Sequence, residues 1–272
     1  PPSKYTVDSL EGSNSNATLL TNKILDWKEI DIYHHPDISN HEDFNNHIRE
    51  VISQMTSEYQ VTTYKGRMFF IKSNSSEPHS LNECISSRLL WLCGFNCIFY
   101  YYFGNYVISE YKSNITSCDA TDLEIIHHHD ILRAYLPLCW LSMWDFHHNY
   151  MCYYGNIVFF DFGSSLTTRA LLGREKEFPA DRVEEVKTLL DIGMNYTAYL
   201  FRNLSYPTIQ ESKKLLENID DKDIENIMEY NNVSHLSKDT LLSRKKILIE
   251  KDPEEIMEYI SPDYYLFHEL NN

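Results

Sequence analysis

The stretch that decides the fold is residues 144–163, which read WDFHHNYMCYYGNIVFFDFG. Asp145 and Asn149 follow a dense apolar run, and this predicts a buried helix that ends in a polar loop. Two short β-rich runs then flank Gly155-Asn156, which predicts a tight hairpin ending at Asp161. A carboxylate directly after an apolar strand is costly unless it binds a cation or hydrogen-bond donors. Three polar side chains are therefore expected at one site.

These three side chains are of the types that phosphoryl transfer needs. One carboxylate, that of Asp145, would orient or deprotonate an attacking hydroxyl. A second carboxylate, that of Asp161, and the amide oxygen of Asn149 would hold Mg²⁺ against the phosphates of a nucleotide, because this ion prefers hard oxygen ligands. The stretch thus predicts a magnesium-dependent nucleotide site.

Upstream of this stretch, the spacing of apolar residues predicts helix from residue 19 to about 59, and the chain from residue 60 to 111 is predicted to be β-rich. Lys65-Gly66 and Gly104-Asn105 are short turn signals between β-rich runs, and Gly94 is a favoured helix-ending residue. The predicted elements are strands at 60–64 and 67–72, a polar loop at 73–80, a helix at 81–93, and strands at 97–103 and 106–111.

The second half of the chain is predicted to be mostly helical, with helices at 122–133, 136–144, 183–201, 209–216, 221–230, 239–249 and 253–260. No change in composition marks a second independent domain. The expectation is an α+β fold formed by a single domain over 1–272, in which residues 1–17 form a flexible arm.

In their order along the chain, five features resemble the protein-kinase-like superfamily. Lys72 ends a predicted strand, Glu83 lies in the next helix, and Asp145, Asn149 and Asp161-Phe162-Gly163 follow. The succession of strand lysine, short Pro-containing loop, Asn-Glu and helix is more similar to the HipA toxin-kinases and the phosphoinositide-kinase branch than to ordinary eukaryotic kinases. The resemblance covers about residues 60–166.

This resemblance implies a two-lobed kinase-like fold that binds ATP and Mg²⁺. A small β-rich N-lobe would span about 18–110 and a larger, mostly helical C-lobe about 111–272. By resemblance, Lys72 contacts the nucleotide phosphates and Glu83 pairs with Lys72. Glu110 and Tyr111 stand where such enzymes have the hinge that holds adenine, and His147 would brace the catalytic loop.

Two departures from the family pattern bear on the site. Asp145 and Asn149 are separated by three residues, where the family usually has four. Either the loop is one residue shorter, or Tyr150 takes the expected position and Asn149 points elsewhere. A Gly-rich loop is also absent, because the only glycine before Gly66 is Gly12. The polar segment 12–17 is one candidate for covering the phosphates, and a disordered arm is the alternative.

The function that these features favour is an ATP-dependent phosphotransferase. The expected acceptor is a protein Ser/Thr hydroxyl, as in an atypical protein kinase, with an inositol lipid headgroup or a small molecule as other options. A pseudokinase that acts as a binding or scaffold module is the alternative from another class. Kinase-like sites can also perform nucleotidyl transfer or glutamylation.

Composition narrows the partners and the location. The formal net charge is −16, from 24 basic and 40 acidic residues, which disfavours nucleic acid and anionic membranes as partners. The longest apolar stretches are too short to span a bilayer. A composition rich in Asn, Ile, Lys and Tyr favours a low-GC genome. We therefore expect a cytoplasmic protein or a secreted bacterial effector in the host cytosol, with a host or antitoxin protein as partner.

The cysteines and histidines give no metal-site signal. The six cysteines form no CxxC pair and mostly lie in apolar runs, so we expect reduced, buried thiols. Residues 127–129 are three consecutive histidines, and consecutive side chains on a helix point in different directions. The spacing of zinc ligands is absent, so no zinc site is expected.

Overall fold

A computed structural model describes residues 42–111, 127–147, 149–153, 156–169, 174–191, 193, 196–231, 233 and 236–260. The predicted arm at 1–17, with the segment 12–17 suggested to cover phosphates, lies outside these ranges. The first five residues of the predicted helix at 122–133 also lie outside them, and the rest of that stretch contains a helix over His128–Arg133.

The described residues form nine α-helices, one 3-10 helix and six strands. In chain order these are α1 Glu42–Gln54, β1 Tyr59–Tyr64, β2 Arg67–Ser73, α2 Glu77–Leu92, β3 Tyr101–Phe103, β4 Tyr106–Glu110, α3 His128–Arg133, α4 Tyr135–Trp140, β5 Tyr150–Tyr153, β6 Asn156–Phe159, α5 Glu185–Thr188, the 3-10 helix Tyr196–Phe201, α6 Tyr206–Glu217, α7 Asp221–Tyr230, α8 Lys238–Glu250 and α9 Pro253–Met257.

A small antiparallel sheet precedes a mostly helical remainder. Its four strands lie in the order β1-β2-β4-β3, and β5 and β6 form a separate hairpin. Within the described ranges, every strand after the four-stranded sheet belongs to that hairpin. The predicted α+β class is confirmed. The predicted lobe boundary near residue 111 borders residues outside the described ranges and stays a prediction.

Each face of the four-stranded sheet has a different role. Phe69 and Ile71 of β2 are fully buried against Phe44 and Ile48 of α1, together with Ile108 of β4. Successive side chains of a strand point to opposite faces, so Lys72 emerges on the face away from α1. The sheet therefore presents one lysine toward the helical part of the molecule.

Helix α2 connects the sheet to the helical part. It packs against β3 and β4 and also against α7. It begins at Glu77, four residues before the predicted start, because the Ser76 hydroxyl accepts a hydrogen bond from the backbone N–H of His79 and Pro78 sits in the first turn. Proline is favoured there, since the first helical N–H groups have no intrahelical partner.

Three other predicted elements are shorter than the sequence pattern suggests. The helix expected at 136–144 ends at Trp140, and Ser142 adopts a positive φ of 53° just beyond it. The strand expected at 97–103 comprises Tyr101–Phe103 only. The helix expected at 183–201 is wrong, because the chain forms the four-residue helix Glu185–Thr188 and the 3-10 helix Tyr196–Phe201 instead.

Candidate active site

Lys72 lies between two carboxylates. Its Nζ is 3.2 Å from both Oε1 and Oε2 of Glu83 and 2.5 Å from Oδ1 of Asp161. The three residues come from β2, α2 and the segment after β6, so one ammonium group joins the sheet, its neighbouring helix and the hairpin end. Glu83 is fully buried, whereas 46% of the Asp161 side chain is exposed. The exposed carboxylate is therefore the one within reach of a ligand.

The electrostatic balance of this cluster favours a charged lysine. Burial would lower the pKa of Lys72, but the carboxylates of Glu83 and Asp161 outweigh burial and raise it. Burial raises the pKa of Glu83, while Lys72 and a hydrogen bond from Asn74 act in the opposite direction. The Asn74 amide donates to Glu83 Oε2 at 3.1 Å. Glu83 thus has two donors that hold its carboxylate in place.

Asp161 has a strained backbone that packing holds in position. Its φ is +54°, a left-handed conformation that non-glycine residues adopt at a cost. On one side its backbone N–H donates to the Tyr100 hydroxyl at 3.3 Å, and on the other Phe162 is fully buried. These contacts turn the Asp161 carboxylate toward Lys72.

Gly163 is required by a close approach of His79. A Cβ added at Gly163 would lie 2.2 Å from Nε2 of His79. His79 is buried, and burial together with the nearby Lys72 lowers the pKa of His79 to about 4, so this imidazole is neutral at pH 7. The glycine of the Asp-Phe-Gly motif is thus needed for packing against α2.

Helix α2 is bonded to the segment that follows Gly163. The Asn82 amide donates to the Ser165 carbonyl at 3.3 Å and to the hydroxyls of Thr167 and Thr168 at 3.0 and 3.1 Å. The hydroxyls of Ser86 and Ser165 are 2.6 Å apart. Because Glu83 lies on the same helix, these bonds fix Glu83 relative to Asp161.

Asn149 lies between the two candidate catalytic aspartates. Its Nδ2 donates to the backbone carbonyl of Asp145 at 2.5 Å and to that of Asp161 at 3.1 Å. Tyr150, the alternative for this position, is 5% exposed and packs against Phe146. The structure thus brings Asn149 rather than Tyr150 to the cavity. The amide nitrogen of Asn149 faces the backbone carbonyl oxygens of Asp145 and Asp161.

A cavity of about 450 Å³ joins these residues. Lys72, Asp145, Asn149 and Asp161 all line it, and Asp145 is exposed. The other lining residues are Glu58, Tyr59, Ser73, Asn74, Ser75, His79 and Ser164. Four of the predicted site residues therefore share one cavity, with Glu83 buried directly behind Lys72.

Sequence reasoning missed the contribution of the α2 N-terminus to this cavity. Asn74, Ser75 and His79 lie in what was expected to be a plain polar loop. The Ser76-Glu77-Pro78 sequence carried the signal, because a capping serine followed by a first-turn proline marks a helix start. A helix start at Glu77 would have put these residues beside the end of β2.

The remaining predicted residues lie elsewhere. His147 is half-buried and is not among the described residues that line the cavity. Glu110 pairs with Arg67 at 3.1 Å, and the backbone N–H of Tyr111 donates to the Met68 carbonyl at 2.9 Å. Neither Glu110 nor Tyr111 lines the cavity, so their adenine-binding role stays a prediction, as does the bracing role of His147.

The oxygen atoms of the site suit a hard cation and phosphate. In the described part of the chain, the buried Asn74 Oδ1 and Ser164 Oγ have no hydrogen-bond partner, and both residues line the cavity. Buried polar atoms are normally paired, so unpaired ones beside a cavity fit a ligand. The described residues contain no cluster of three His, Cys, Asp or Glu side chains with metal-site geometry. Asp161 and Asn149 would thus need phosphate oxygens to complete a magnesium site.

Neither the histidines at 127–129 nor the described cysteines line this cavity. Residues 127–129 have three different neighbours, since His127 approaches Asp130, the His128 ring is 3.3 Å from the Asn203 amide, and His129 approaches Glu211. The cysteines whose side chains are described are free, buried thiols, namely Cys84, Cys93, Cys97 and Cys139. Within the described ranges, no helix is both long and apolar enough to cross a bilayer.

Comparison with known proteins finds a likeness among solved structures. No protein-family model matches the chain, and no curated protein matches it. Among solved structures, the chain is similar to the crystal structure of a Helicobacter pylori proinflammatory kinase, CtkA, with a TM-score of 0.47 and 12% sequence identity, over 74% of this chain and 90% of that chain.

Proposed function

We propose that this chain binds ATP with Mg²⁺ in the 450 Å³ cavity and transfers the γ-phosphoryl group to a hydroxyl. The observation that carries the proposal is Lys72, held by the buried Glu83 in the same cavity as Asp145 and Asp161. A fixed ammonium and two carboxylates that line the same cavity are the groups that phosphoryl transfer uses.

Each residue has a distinct role in this proposal. Lys72 binds the phosphate oxygens, and Glu83 keeps its ammonium charged and in place. Asp161 and the amide oxygen of Asn149 would hold Mg²⁺, which when bound would neutralise charge on the phosphates. Asp145 accepts the proton of the attacking hydroxyl while the bond between the γ-phosphorus and the β–γ bridging oxygen breaks. ADP and a phosphorylated acceptor are the products.

An apolar sheet face next to Lys72 offers a place for the purine. The pairs Tyr59↔Lys72 and Val61↔Phe70 share one face of β1 and β2, because directly opposed residues of antiparallel strands lie on the same side. Tyr59 and Val61 are 52% and 41% exposed, which is high for large apolar side chains. A base packed there would leave its phosphates at Lys72.

The net charge of the chain favours one acceptor class over another. A chain with a net charge of −16 is poorly suited to anionic membranes, so an inositol lipid is less favoured than a protein hydroxyl. We propose an atypical protein Ser/Thr kinase, and the HipA-like or phosphoinositide-kinase-like branch belongs to the same proposal. A host or antitoxin protein as partner is proposed from composition alone, which is rich in Asn, Ile, Lys and Tyr.

A pseudokinase is the second candidate, and the Lys72–Asp161 contact favours it. At 2.5 Å, Lys72 already neutralises one oxygen of the carboxylate that would hold the metal. A protein that keeps this pair in the nucleotide complex would bind ATP without transferring phosphate. Nucleotidyl transfer and glutamylation are further chemistries that the same residues permit.

Labelled ATP distinguishes these possibilities. Purified protein is incubated with Mg²⁺ and ATP labelled at the γ- or the α-phosphate, with itself and generic proteins as acceptors. The kinase proposal predicts transfer of the γ-label by the wild type, loss of transfer in Lys72→Met, and retention in Arg67→Met, which breaks an ion pair on the same strand outside the cavity. Transfer of the α-label would instead indicate nucleotidyl transfer, and tight binding without transfer a pseudokinase.

A further inference from the structure

A second cavity of about 470 Å³ adjoins the first at Asp145 and Ser164, which line both. The other residues that line it are Ser142, Trp144, Arg169, Lys176, Glu177, Pro179, Arg182, Glu184 and Glu185. Lys176 is the lysine of this set, and it has no role in the nucleotide site or in the phosphate chemistry described above.

Lys176 joins the two segments that carry the candidate catalytic carboxylates. Its ammonium donates to the backbone carbonyl of Ser142 and, at 2.7 Å, to that of Ser164. Ser142 lies three residues before Asp145, and Ser164 lies three residues after Asp161. One side chain thus bonds to both segments at the junction of the cavities.

A backbone bond runs between the same two segments. The N–H of Leu166 donates to the carbonyl of Leu141 at 2.6 Å, and both residues are fully buried. Ser142 has a positive φ of 53° and Leu166 one of 52°. Two adjacent strained turns are therefore held together by one backbone bond and by the Lys176 ammonium.

The charged groups around Lys176 are largely paired with one another. Glu185 forms an ion pair with the fully buried Arg244 at 2.7 Å. Arg182 contacts three carboxylates, those of Glu177, Asp181 and Glu184. Within the described part of the chain, the Lys176 ammonium has no ion pair with a carboxylate, and its described partners are the two carbonyl oxygens.

We propose that Lys176 is a positioning residue that holds the Asp145 segment against the Asp161 segment, so that the general base stays aligned with the phosphates. This inference rests on the proposed function, because alignment matters only for transfer. Misplacing a reacting group by about 1 Å can lower a rate about 100-fold, so a bond between the two segments has a large kinetic effect.

This role makes the alignment sensitive to pH. Burial lowers the pKa of Lys176 to about 7; Glu185 opposes the lowering, while Arg244 and Arg169 add to it. Of the other charged groups lining the cavity, Arg182, Glu177 and Glu184 are paired and Asp145 lies at its junction with the first. Below pH 7 the ammonium makes charge-assisted bonds to both carbonyls, and above it the neutral amine makes weaker ones.

The first test is the pH dependence of single-turnover transfer between pH 6 and 9. The wild-type rate is expected to fall several-fold as the pH rises through about 7. Lys176→Met should be roughly 10- to 100-fold slower below pH 7 and should lack this descending limb. Lys176→Arg stays protonated and should transfer without that limb. The proposal would be overturned if Lys176→Met had the rate and pH dependence of the wild type. It would also be overturned if the transfer rate of Lys176→Arg still fell as the pH rises through about 7.

The second test does not depend on transfer. Hydrogen exchange at the Leu166 amide reports directly on the contact between the two segments, because its bond partner is the Leu141 carbonyl. Lys176→Met should accelerate exchange in residues 163–168 about tenfold or more relative to the rest of the chain. Unchanged exchange there would contradict the positioning role, even in an active enzyme.

Lys245→Met is the matched control for both tests. Lys245 is a buried lysine that also donates to a backbone carbonyl, that of Ile219, and it forms an ion pair with Asp221, but it lies away from both cavities. Its loss should destabilise the protein without selective exchange at 163–168. If the wild type transfers no phosphate, the proposed function fails, and the exchange result alone then decides whether Lys176 joins the two segments.

Discussion

At the level of single residues, two ion pairs of strand β2 show how burial decides the contribution of an ion pair to stability. Lys72–Glu83 and Arg67–Glu110 have similar lengths, 3.2 and 3.1 Å. Glu83 is fully buried, whereas Arg67 and Glu110 keep 32% and 25% of their side chains exposed. An exposed pair contributes little, but the loss of one partner from a buried pair leaves an uncompensated charge.

The two pairs should therefore respond differently to mutation. Lys72→Met is expected to lower the free energy of unfolding at pH 8 by about 3 kcal/mol, because it leaves the Glu83 carboxylate buried without its cation. Arg67→Met should cost less than about 1 kcal/mol. Urea unfolding measures both, and equal effects would mean that Lys72 and Glu83 do not act as a buried pair.

The residues of the site were the part most open to sequence reasoning. Lys72, Asp145 and Asp161 are recognisable because a charged residue within or at the end of an apolar run needs a chemical reason for its burial. Asn149 was predicted from the polar loop after the buried helix, and Glu83 from its place in the kinase-like order of residues. The structure brings all five together. The cavity-lining residues at 73–75 could not be found in this way, because short polar residues are common in every loop.

At the level of elements, helix α2 decides the geometry of the site, and its sequence predicts this only in part. The pattern placed a helix after the second strand but started it too late, so that the contacts made by His79 and the α2 N-terminus were not foreseen. The hydrogen bonds from Asn82 and Ser86 to residues after Gly163 are long-range contacts, and no local pattern encodes them.

Asn82 is expected to be the side chain through which α2 holds the segment after Gly163. Asn82→Ala should lower the free energy of unfolding by about 1–3 kcal/mol, because it leaves the buried Ser165 carbonyl and Thr168 hydroxyl without this donor. It should also weaken ATP binding, since Glu83 would lose its fixed position. Ser87→Ala on the same helix, which removes only a bond to the Cys84 carbonyl, serves as control in thermal unfolding and ATP titration. Equal losses in both variants would contradict this role of Asn82.

At the level of the whole molecule, the sequence predicts correctly that the second half is mostly helical. It does not predict the structure of the longest expected helix. The apolar spacing over 183–201 suggested one helix, yet the chain forms two short pieces there. The reason lies in contacts with residues far away in the sequence. Arg244 of α8 is fully buried and donates to the carbonyls of Trp140, Cys139, Pro179 and Arg182 as well as to Glu185. Such bonds hold the segment in an irregular path that no spacing rule anticipates.

The Arg244–Glu185 pair should set part of the acid stability. Burial would raise the pKa of Glu185, but Arg244 and the Ser142 hydroxyl hold it below its ordinary value. A lowered pKa contributes stability above the unfolded-state pKa, and this stability is lost as the pH falls through the folded-state pKa. Arg244→Met should cost about 3–5 kcal/mol at pH 7.

The cost of Arg244→Met should shrink below pH 5, because Glu185 can then take up a proton. Urea unfolding at pH 7 and pH 4.5 measures the difference. Arg182→Met removes a surface cation with three carboxylate neighbours and should leave the unfolding midpoint nearly unchanged at both values. A cost for Arg244→Met that does not vary with pH would show that Glu185 is not its titrating partner.

The central claim is that Asp145 acts on the acceptor while Asp161 holds the nucleotide complex, and one set of measurements tests it. ATP affinity and single-turnover γ-phosphoryl transfer are measured for the wild type, Asp145→Asn, Asp161→Asn and Asn149→Ala. Asp145→Asn should slow transfer by about 10²–10⁴-fold with ATP affinity nearly unchanged. Asp161→Asn should lose magnesium-dependent binding and transfer together, and Asn149→Ala should resemble it more weakly. Full transfer by Asp145→Asn would contradict the account.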